Sequence, residues 1–582
     1  MCCCCSNKAV DVIESEPRNN ENNNKESEAI NNEISNNINN TQSNNSPMLT
    51  NNENGNLNIE NQQDENIDNE DDLPDYSSLN SKELIEKGDM AISLERYREA
   101  AKIFKTMVDK YPSDVLGYLN LGKVYMKMKA YSKALDIYNK SLLIDKSKLD
   151  IYVNRGVCLF NLKQYKEAID CYDRGLKLFP KEYTLFLNKG VALNHLKKYY
   201  EAIDCFKKGL MIKKDASLYN NLAISYFRLK EYSKSIEFYD EALILNPRDY
   251  LQLNNKGVAL KNLEQYDEAI LCFNQAINLN KNDPISYYNL ANTFKIMERR
   301  EEALEQFNIA ISLDKTYISA YYNKGITLSD LNRYSEAIQN FDICIELNKK
   351  HIYAYLNKGI CLDCLKKYEE ALQQYEKILE LNSLFGAAYI NKGITLSNMN
   401  RYEEAIYNYD YAIKNNIEVA AAYNNKGVCQ YKMGKYMEAL DSYTLAIKNE
   451  PKYLQAYINR GDCYKTLKKY DEALNDYDKA LIIKPEYANT YYSKGLVYQL
   501  LNGEEDLKLA LENFELAIKY NPGFPEAYYQ KGIVQMSLGD YANAIDSFNK
   551  CKGFDQEQTE ICNNKINECN DAVNNLVKNE NK

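Results

Sequence analysis

From Ser81 onward, apolar residues recur at the three- and four-residue intervals of an amphipathic helix, and the pattern comes in blocks. Asn80 followed by Glu83 has the form of a capping box and places the first helix start there. The blocks are variants of one another: YVNRGVCL from Tyr152, FLNKGVAL from Phe186, YYNKGITL from Tyr321, YLNKGICL from Tyr355, YINKGITL from Tyr389 and YINRGDCY from Tyr457. Gly156, Gly190, Gly325, Gly359, Gly393, Gly427 and Gly461 mark these and neighbouring copies, and consecutive copies are almost all 34 residues apart. Each copy predicts two helices joined by a turn. Pro112, Pro180, Pro247, Pro451, Pro485 and Pro522 close some second helices, where a helix cannot easily continue.

A 34-residue period with a small residue in each of two helices resembles the tetratricopeptide repeat, or TPR, over about 480 residues. In that family's frame, fourteen repeats begin near Ser81, Val115, Leu149, Tyr183, Ala216, Tyr250, Pro284, Ile318, Ile352, Gly386, Ala420, Leu454, Ala488 and Pro525. The eighth position is Gly in twelve and Ala in two, Ala223 and Ala291. The twentieth is Ala almost throughout, as at Ala100, Ala134, Ala168, Ala202, Ala269 and Ala303, with Ser235 once. Small contact residues let helix axes approach to about 8–10 Å. Large ones surround them at the fourth position (Tyr118, Tyr152, Phe186, Tyr219) and the twenty-fourth (Phe104, Tyr138, Tyr172, Phe206). The family often has Trp at the fourth position; this chain has Tyr.

The resemblance implies an all-α fold, an α-solenoid of about fourteen helix-turn-helix repeats forming a superhelix over residues 81–558. Residues 559–582 are expected to form a capping helix and short tail. Cys562, Ile566, Cys569, Val573 and Leu576, spaced 4, 3, 4 and 3, give that helix an apolar stripe to cover the last repeat. Repeat thirteen departs from the pattern. Its stretch LLNGEEDLKLALENF adds three residues and delays the small residue to Ala510. A longer turn around Asn502 to Glu505, and a local change in superhelical path, are expected there.

Composition separates a second part, residues 1–80. From Asn19 to Glu70, 21 of 52 residues are Asn, with too little apolar surface between them to offset ordering, so a disordered tail is expected. That tail holds 16 acidic and three basic residues, a net of −13, whereas the remaining 69 basic and 67 acidic groups nearly cancel. An array without net positive charge predicts no nucleic-acid partner. No run of 18 apolar residues and no secretory leader is evident, which predicts a cytoplasmic chain, with a peripheral membrane location if the tail is lipidated.

Candidate chemistry is sparse. With 2 His and no Trp, the chain nearly lacks the commonest general base and metal ligand. His195 falls in a first helix and His351 in an inter-repeat turn, with no fixed partner. Cys158, Cys361, Cys429 and Cys463 share the tenth repeat position, and Cys171, Cys205 and Cys272 the twenty-third. Recurrence at one position reads as packing. The Cys361–Cys364 CxxC has neither a second such pair nor a nearby His. No phosphate loop, nucleophile elbow or HExxH pair is present, and only residues 559–582 follow the array. A non-enzyme without metal or cofactor is expected.

The sixth position carries the main candidate site. Asn120, Asn154, Asn188, Asn221, Asn255, Asn289, Asn323, Asn357, Asn391, Asn425 and Asn459 occupy it in eleven successive repeats, and the series ends at Ser493 and Gln530. A carboxamide both donates and accepts, so it can pair with a peptide backbone of any sequence. In the family this position faces the inner surface. The superhelical arm of O-linked N-acetylglucosamine transferase holds extended polypeptide on such a ladder, and the resemblance implies the same groove here. A merely tolerated polar face is the alternative. Tyr288, Tyr322, Ile390, Tyr492 and Tyr529 at the fifth position and Val191, Ile326, Ile360 and Ile394 at the ninth would supply apolar pockets, or serve as core. The fifth position is never basic, and the ninth is Asn only at Asn292, so the family's clamp for a chaperone's C-terminal carboxylate is not expected.

The resulting expectation is a non-catalytic scaffold that binds extended segments of other proteins along a concave groove. The alternative is a recruiting or structural subunit whose catalytic part lies on another chain. Cys2, Cys3, Cys4 and Cys5 open the sequence; four contiguous thiols cannot easily close a tetrahedral metal site, which leaves S-acylation or an unmodified cluster.

Overall fold

Pairs of antiparallel helices, thirteen and fourteen residues long in most repeats, follow one another from Ser81 to Phe554, and a longer helix, Thr559–Glu580, comes last. The computed structural model describes residues 73–554 and 558–580. Among these there are helices and no strands. The first helix starts where the sequence places it: Asn80 accepts from the Glu83 amide, and the Glu83 carboxylate accepts from the Asn80 amide.

The turn inside each pair is uniform. In the pair Ile352–Cys364 and Tyr368–Leu381, Lys366 takes a left-handed conformation (φ 61°) and the Lys367 amide reaches back to Leu362 O at 2.8 Å. Lys129, Lys163, Lys197, Lys230, Glu264, Glu298, Asn332, Asn400 and Lys468 do the same, while Gly434 and Gly539 bring the residue that adopts it without cost. Between pairs, a carboxylate often caps the next helix, as Asp114 does for Leu116 and Asp283 for Ser286. Fourth-position tyrosines tie this connection down. Tyr152, Tyr389, Tyr457 and Tyr491 donate their hydroxyls to the carbonyl six residues earlier, at 3.0–3.3 Å.

The notches are filled as their spacing requires. A Cβ added to Gly156 would lie 2.1 Å from the Tyr172 ring, to Gly190 2.3 Å from Phe206, and to Gly359 2.6 Å from Tyr375. Each pair joins the eighth position to the twenty-fourth of the same repeat, and these rings are fully buried. The contacts divide the chain into two units, one ending at Thr327 and one beginning at Leu328. In the first, cores form around Tyr172 and Phe206 and around Phe273 and Phe307. In the second, Tyr375, Tyr409, Tyr443 and Phe514 each sit in a local cluster. At its end, Cys562 and Cys569 of the last helix are buried against Ala544, Phe548 and Cys551, with Ile566 beside them, while Val573 is 39% exposed.

Repeat thirteen differs from expectation. Its turn is not lengthened: the first helix ends at Leu501, Asn502 turns left-handed, Gly503 caps, and the second helix begins at Glu504. The three extra residues extend that helix to 17 residues. Glu504, Glu505 and Asp506 in its first turn suit the positive end of the helix dipole, so helix is favoured over loop. Gly495 still seats the Phe514 ring.

An ion-pair ladder joins successive repeats and is absent from the sequence-based reading. The seventh-position lysine reaches the acid at the twenty-fifth position of the preceding repeat, as in Lys189–Asp173, Lys358–Asp342, Lys426–Asp410, Lys494–Asp478 and Lys531–Glu515, at 2.5–2.9 Å. The acids are about half exposed, so each pair contributes only about 0–1 kcal/mol. Repeat twelve replaces the rung. Thr444 stands where the acid would be and accepts from Arg460 at 2.9 Å, while Arg460 also grips Asp476 of its own repeat through two bonds of 2.7 and 2.8 Å.

Candidate functional site

The sixth-position asparagines all lie on first helices, and the fold divides them. Asn154, Asn188, Asn221, Asn255, Asn289 and Asn391 are buried, whereas Asn120, Asn323, Asn357, Asn425 and Asn459 are half-buried. At the ninth position of the same helices, Val157, Val191 and Val258 are buried like their asparagines, Ile326 and Ile360 are half-buried like theirs, and Ile394 is half-buried although Asn391 is buried. At the fifth position Tyr288 and Ile390 belong to the core, while Tyr322, Tyr492 and Tyr529 retain exposure.

Two hydrogen-bond patterns fix the carboxamides. Asn221, Asn323, Asn357 and Asn391 donate to the carbonyl four residues back in their own helix, at 2.8–3.1 Å. Three amides span repeats to a polar side chain at the fifth position of the preceding one: Asn289 donates to Asn254, Asn323 to the Tyr288 hydroxyl and Asn459 to Asn424, at 2.8–3.1 Å. Lys295 adds a 2.7 Å bond to Asn323 Oδ1. Held in this way, the side chains lose little further rotamer freedom when a ligand pairs with them. The deep members are less well served. Asn154 Oδ1, Asn188 Nδ2 and Asn255 Oδ1 are buried with no partner, each a cost of about 1–3 kcal/mol.

Where the series ends, the second unit opens a cleft of about 640 Å³. Leu496, Leu500 and Leu507 form its apolar wall, and Lys465, Gln499 and Gln530 its polar one. Gln530 brings a carboxamide back to the sixth position. Nothing in the repeat period alone announces this cleft, since it depends on the placement of Leu507 at the start of the lengthened helix.

The other candidates fall where packing would put them. The tenth- and twenty-third-position cysteines are buried, and burial pushes the Cys361 thiol up to about 12. His195 stacks on Tyr165 at 5.1 Å and meets the edge of Phe160. His351 caps a helix, its Nδ1 accepting from the Ala354 amide at 3.1 Å. Cys2, Cys3, Cys4 and Cys5 lie outside the described residues. Among those described, no helix is long and apolar enough to cross a membrane.

Comparison with known proteins agrees with this architecture. Family models for the tetratricopeptide repeat match residues 149–182, 216–249, 420–453 and 454–487, residues 183–215, 285–317, 318–351, 352–383 and 525–558, and residues 85–151; a further TPR repeat model matches 257–297. No curated protein sequence matches. Among solved structures, the APC/C hetero-tetramer Cut9–Hcn1 is 16% identical, covering 83% of this chain and 95% of that one with a TM-score of 0.39. Yeast Tom70 is 17% identical over 81% and 97%, TM-score 0.33, and MamA 20% over 29% and 92%, TM-score 0.27.

Proposed function

The chain belongs to the tetratricopeptide repeat family, a protein-interaction scaffold, and from that premise we propose that it holds extended polypeptide segments along the face carried by its first helices. The observation that carries this reading is the half-buried sixth-position asparagines of the second unit, Asn357, Asn425 and Asn459, with half-buried Ile360 and Val428 three residues after the first two. The carboxamides would pair with ligand backbone, and Ile360, Ile394 and Val428 would receive alternate side chains. Asn154, Asn188 and Asn255 lie too deep to take part without movement. Several weak segments of one ligand, engaging different repeats, would gain by avidity. The chain itself carries out no chemistry in this reading. Acylation of Cys2 to Cys5 would tether the scaffold to a membrane, two or more acyl chains being enough for stable anchoring.

Copurification followed by mass spectrometry supplies the ligand, whose segments are then made as synthetic peptides. Replacing Asn357, Asn425 and Asn459 by Ala is expected to weaken peptide binding about tenfold or more, at roughly 1 kcal/mol per lost bond. The thermal midpoint should change little at half-exposed Asn357 and Asn425. Unchanged peptide affinity in that variant would remove the ladder from the binding site.

A further inference from the structure

The ends of the second helices do not need to be apolar, yet in the first unit they are so repeatedly. Leu143 is 82% exposed, Met211 86% and Ile244 70%. All three stand at the twenty-ninth repeat position, which is Glu346, Glu380 and Lys448 farther along the chain and is apolar and exposed once more at Ile482 (80%). Leu178, one place beyond it in the intervening repeat, is 53% exposed. Successive second helices are held in register by the first helix between them, so these tips recur along one edge of the first unit.

The charge around the tips is not that of an ordinary solvated surface. The last turns and following connections of repeats two to four, residues 140–148, 174–182 and 208–215, hold nine basic residues (three in each) and three acidic ones, Asp145, Glu182 and Asp215. The corresponding 241–249 of repeat five hold one basic and two acidic, so the positive charge belongs to repeats two to four, and 343–351 and 377–385 together hold three basic and two acidic. Some of the cations are engaged, Lys208 with Asp204 and Lys213 with Asp215. Lys146, Lys177, Lys181 and Lys214 are exposed beside the apolar tips. Isolated exposed leucines are common, but exposed Leu, Met and Ile repeated at one position among lysines are the composition of an interfacial surface.

We propose that this edge, the second-helix ends of repeats two to five, docks on an anionic bilayer surface. The apolar tips enter the headgroup boundary and the lysines meet acidic lipids. The first-helix face lies on the other layer of the array and stays available to a polypeptide. The inference stands on different residues from the asparagine ladder and does not depend on it.

The test uses the full chain with Cys2 to Cys5 replaced by Ser, so that no acyl chain contributes, and vesicles of phosphatidylcholine alone or with phosphatidylserine. Cosedimentation is expected with the phosphatidylserine vesicles only, with release as salt is raised. A Leu143→Ser, Met211→Ser, Ile244→Ser variant should bind them about tenfold more weakly with unchanged helix content and melting. Failure of the parent chain to sediment with phosphatidylserine vesicles, or equal binding by the triple variant, overturns the proposal. Self-association in the ultracentrifuge that the triple variant abolishes, without vesicle binding, would assign the edge to a second copy of the chain instead.

Discussion

The closest approach between the helices of a pair rests on one hydrogen atom per repeat. At Gly359 a Cβ would lie 2.6 Å from Tyr375 Cε1, and the ring, fully buried, has no room to retreat. Gly359→Leu is therefore expected to cost about 1–3 kcal/mol, read from urea unfolding. If the clash is with the ring, adding Tyr375→Leu recovers part of the loss, a non-additivity that a general helix-propensity effect would not show. Equal stability of Gly359→Leu and the parent would remove the notch from the account of packing. This contact was legible in sequence because both partners recur, glycine at the eighth position and an aromatic ring at the twenty-fourth. The depth of the asparagines was not. Asn188 and Asn357 share a repeat position and an identical neighbour on each side, Leu before and Lys after, yet one is buried and the other half-exposed. The 34-residue period makes the two positions equivalent and so carries no record of their different depth.

Individual helices differ mainly in how they begin. The helix Ile352–Cys364 starts from His351, where most others start from a carboxylate or have no side-chain cap. Burial holds the imidazole below its ordinary 6.5, and the capping Nδ1 accepts a hydrogen bond only while unprotonated. Above 6.5 the ring is neutral whether folded or unfolded, and the cap contributes fully. As pH falls below 6.5 the unfolded chain takes up the proton first, so stability is lost progressively until the folded-state value is passed. His351→Asn keeps a capping acceptor without the titration. Comparing urea midpoints at about pH 7.5 and about pH 5.5, the parent should lose more stability than the Asn variant. Equal losses would place the pH dependence elsewhere. The lengthened helix Glu504–Tyr520 shows where element-scale reading fails. The three added residues suggest a longer turn, but the acidic residues among them favour a helix start, and local helix energetics decide the outcome. The ion-pair ladder was missed for another reason. Its partners lie sixteen residues apart across a turn, and they emerge only when the repeats are aligned against one another.

In an array each repeat touches only its neighbours, so stability is a sum of local terms and the ends are its weakest points. At the far end, the last pair, Pro525–Ser537 and Tyr541–Phe554, has one neighbour before it and the helix Thr559–Glu580 after it. Phe548 and Cys551 on one side and Cys562 and Cys569 on the other are all fully buried, and the final helix supplies one wall of that cluster. Removing residues 559–582 uncovers this apolar cluster, a loss of about 2–3 kcal/mol if it is equivalent to exposing one large side chain. Set against the modest stability of a single repeat, that is enough to open the last pair much of the time. Amide hydrogen exchange should then show protection falling in 525–554 first, with residues 149–323 unchanged. A loss spread evenly over the chain would mean that the repeats unfold as one cooperative body and that the final helix acts on all of them. The two outcomes also differ for function. With local unfolding, the half-exposed asparagines from Asn357 to Asn459 keep their geometry in the truncated chain and peptide binding survives, whereas cooperative loss would abolish both together.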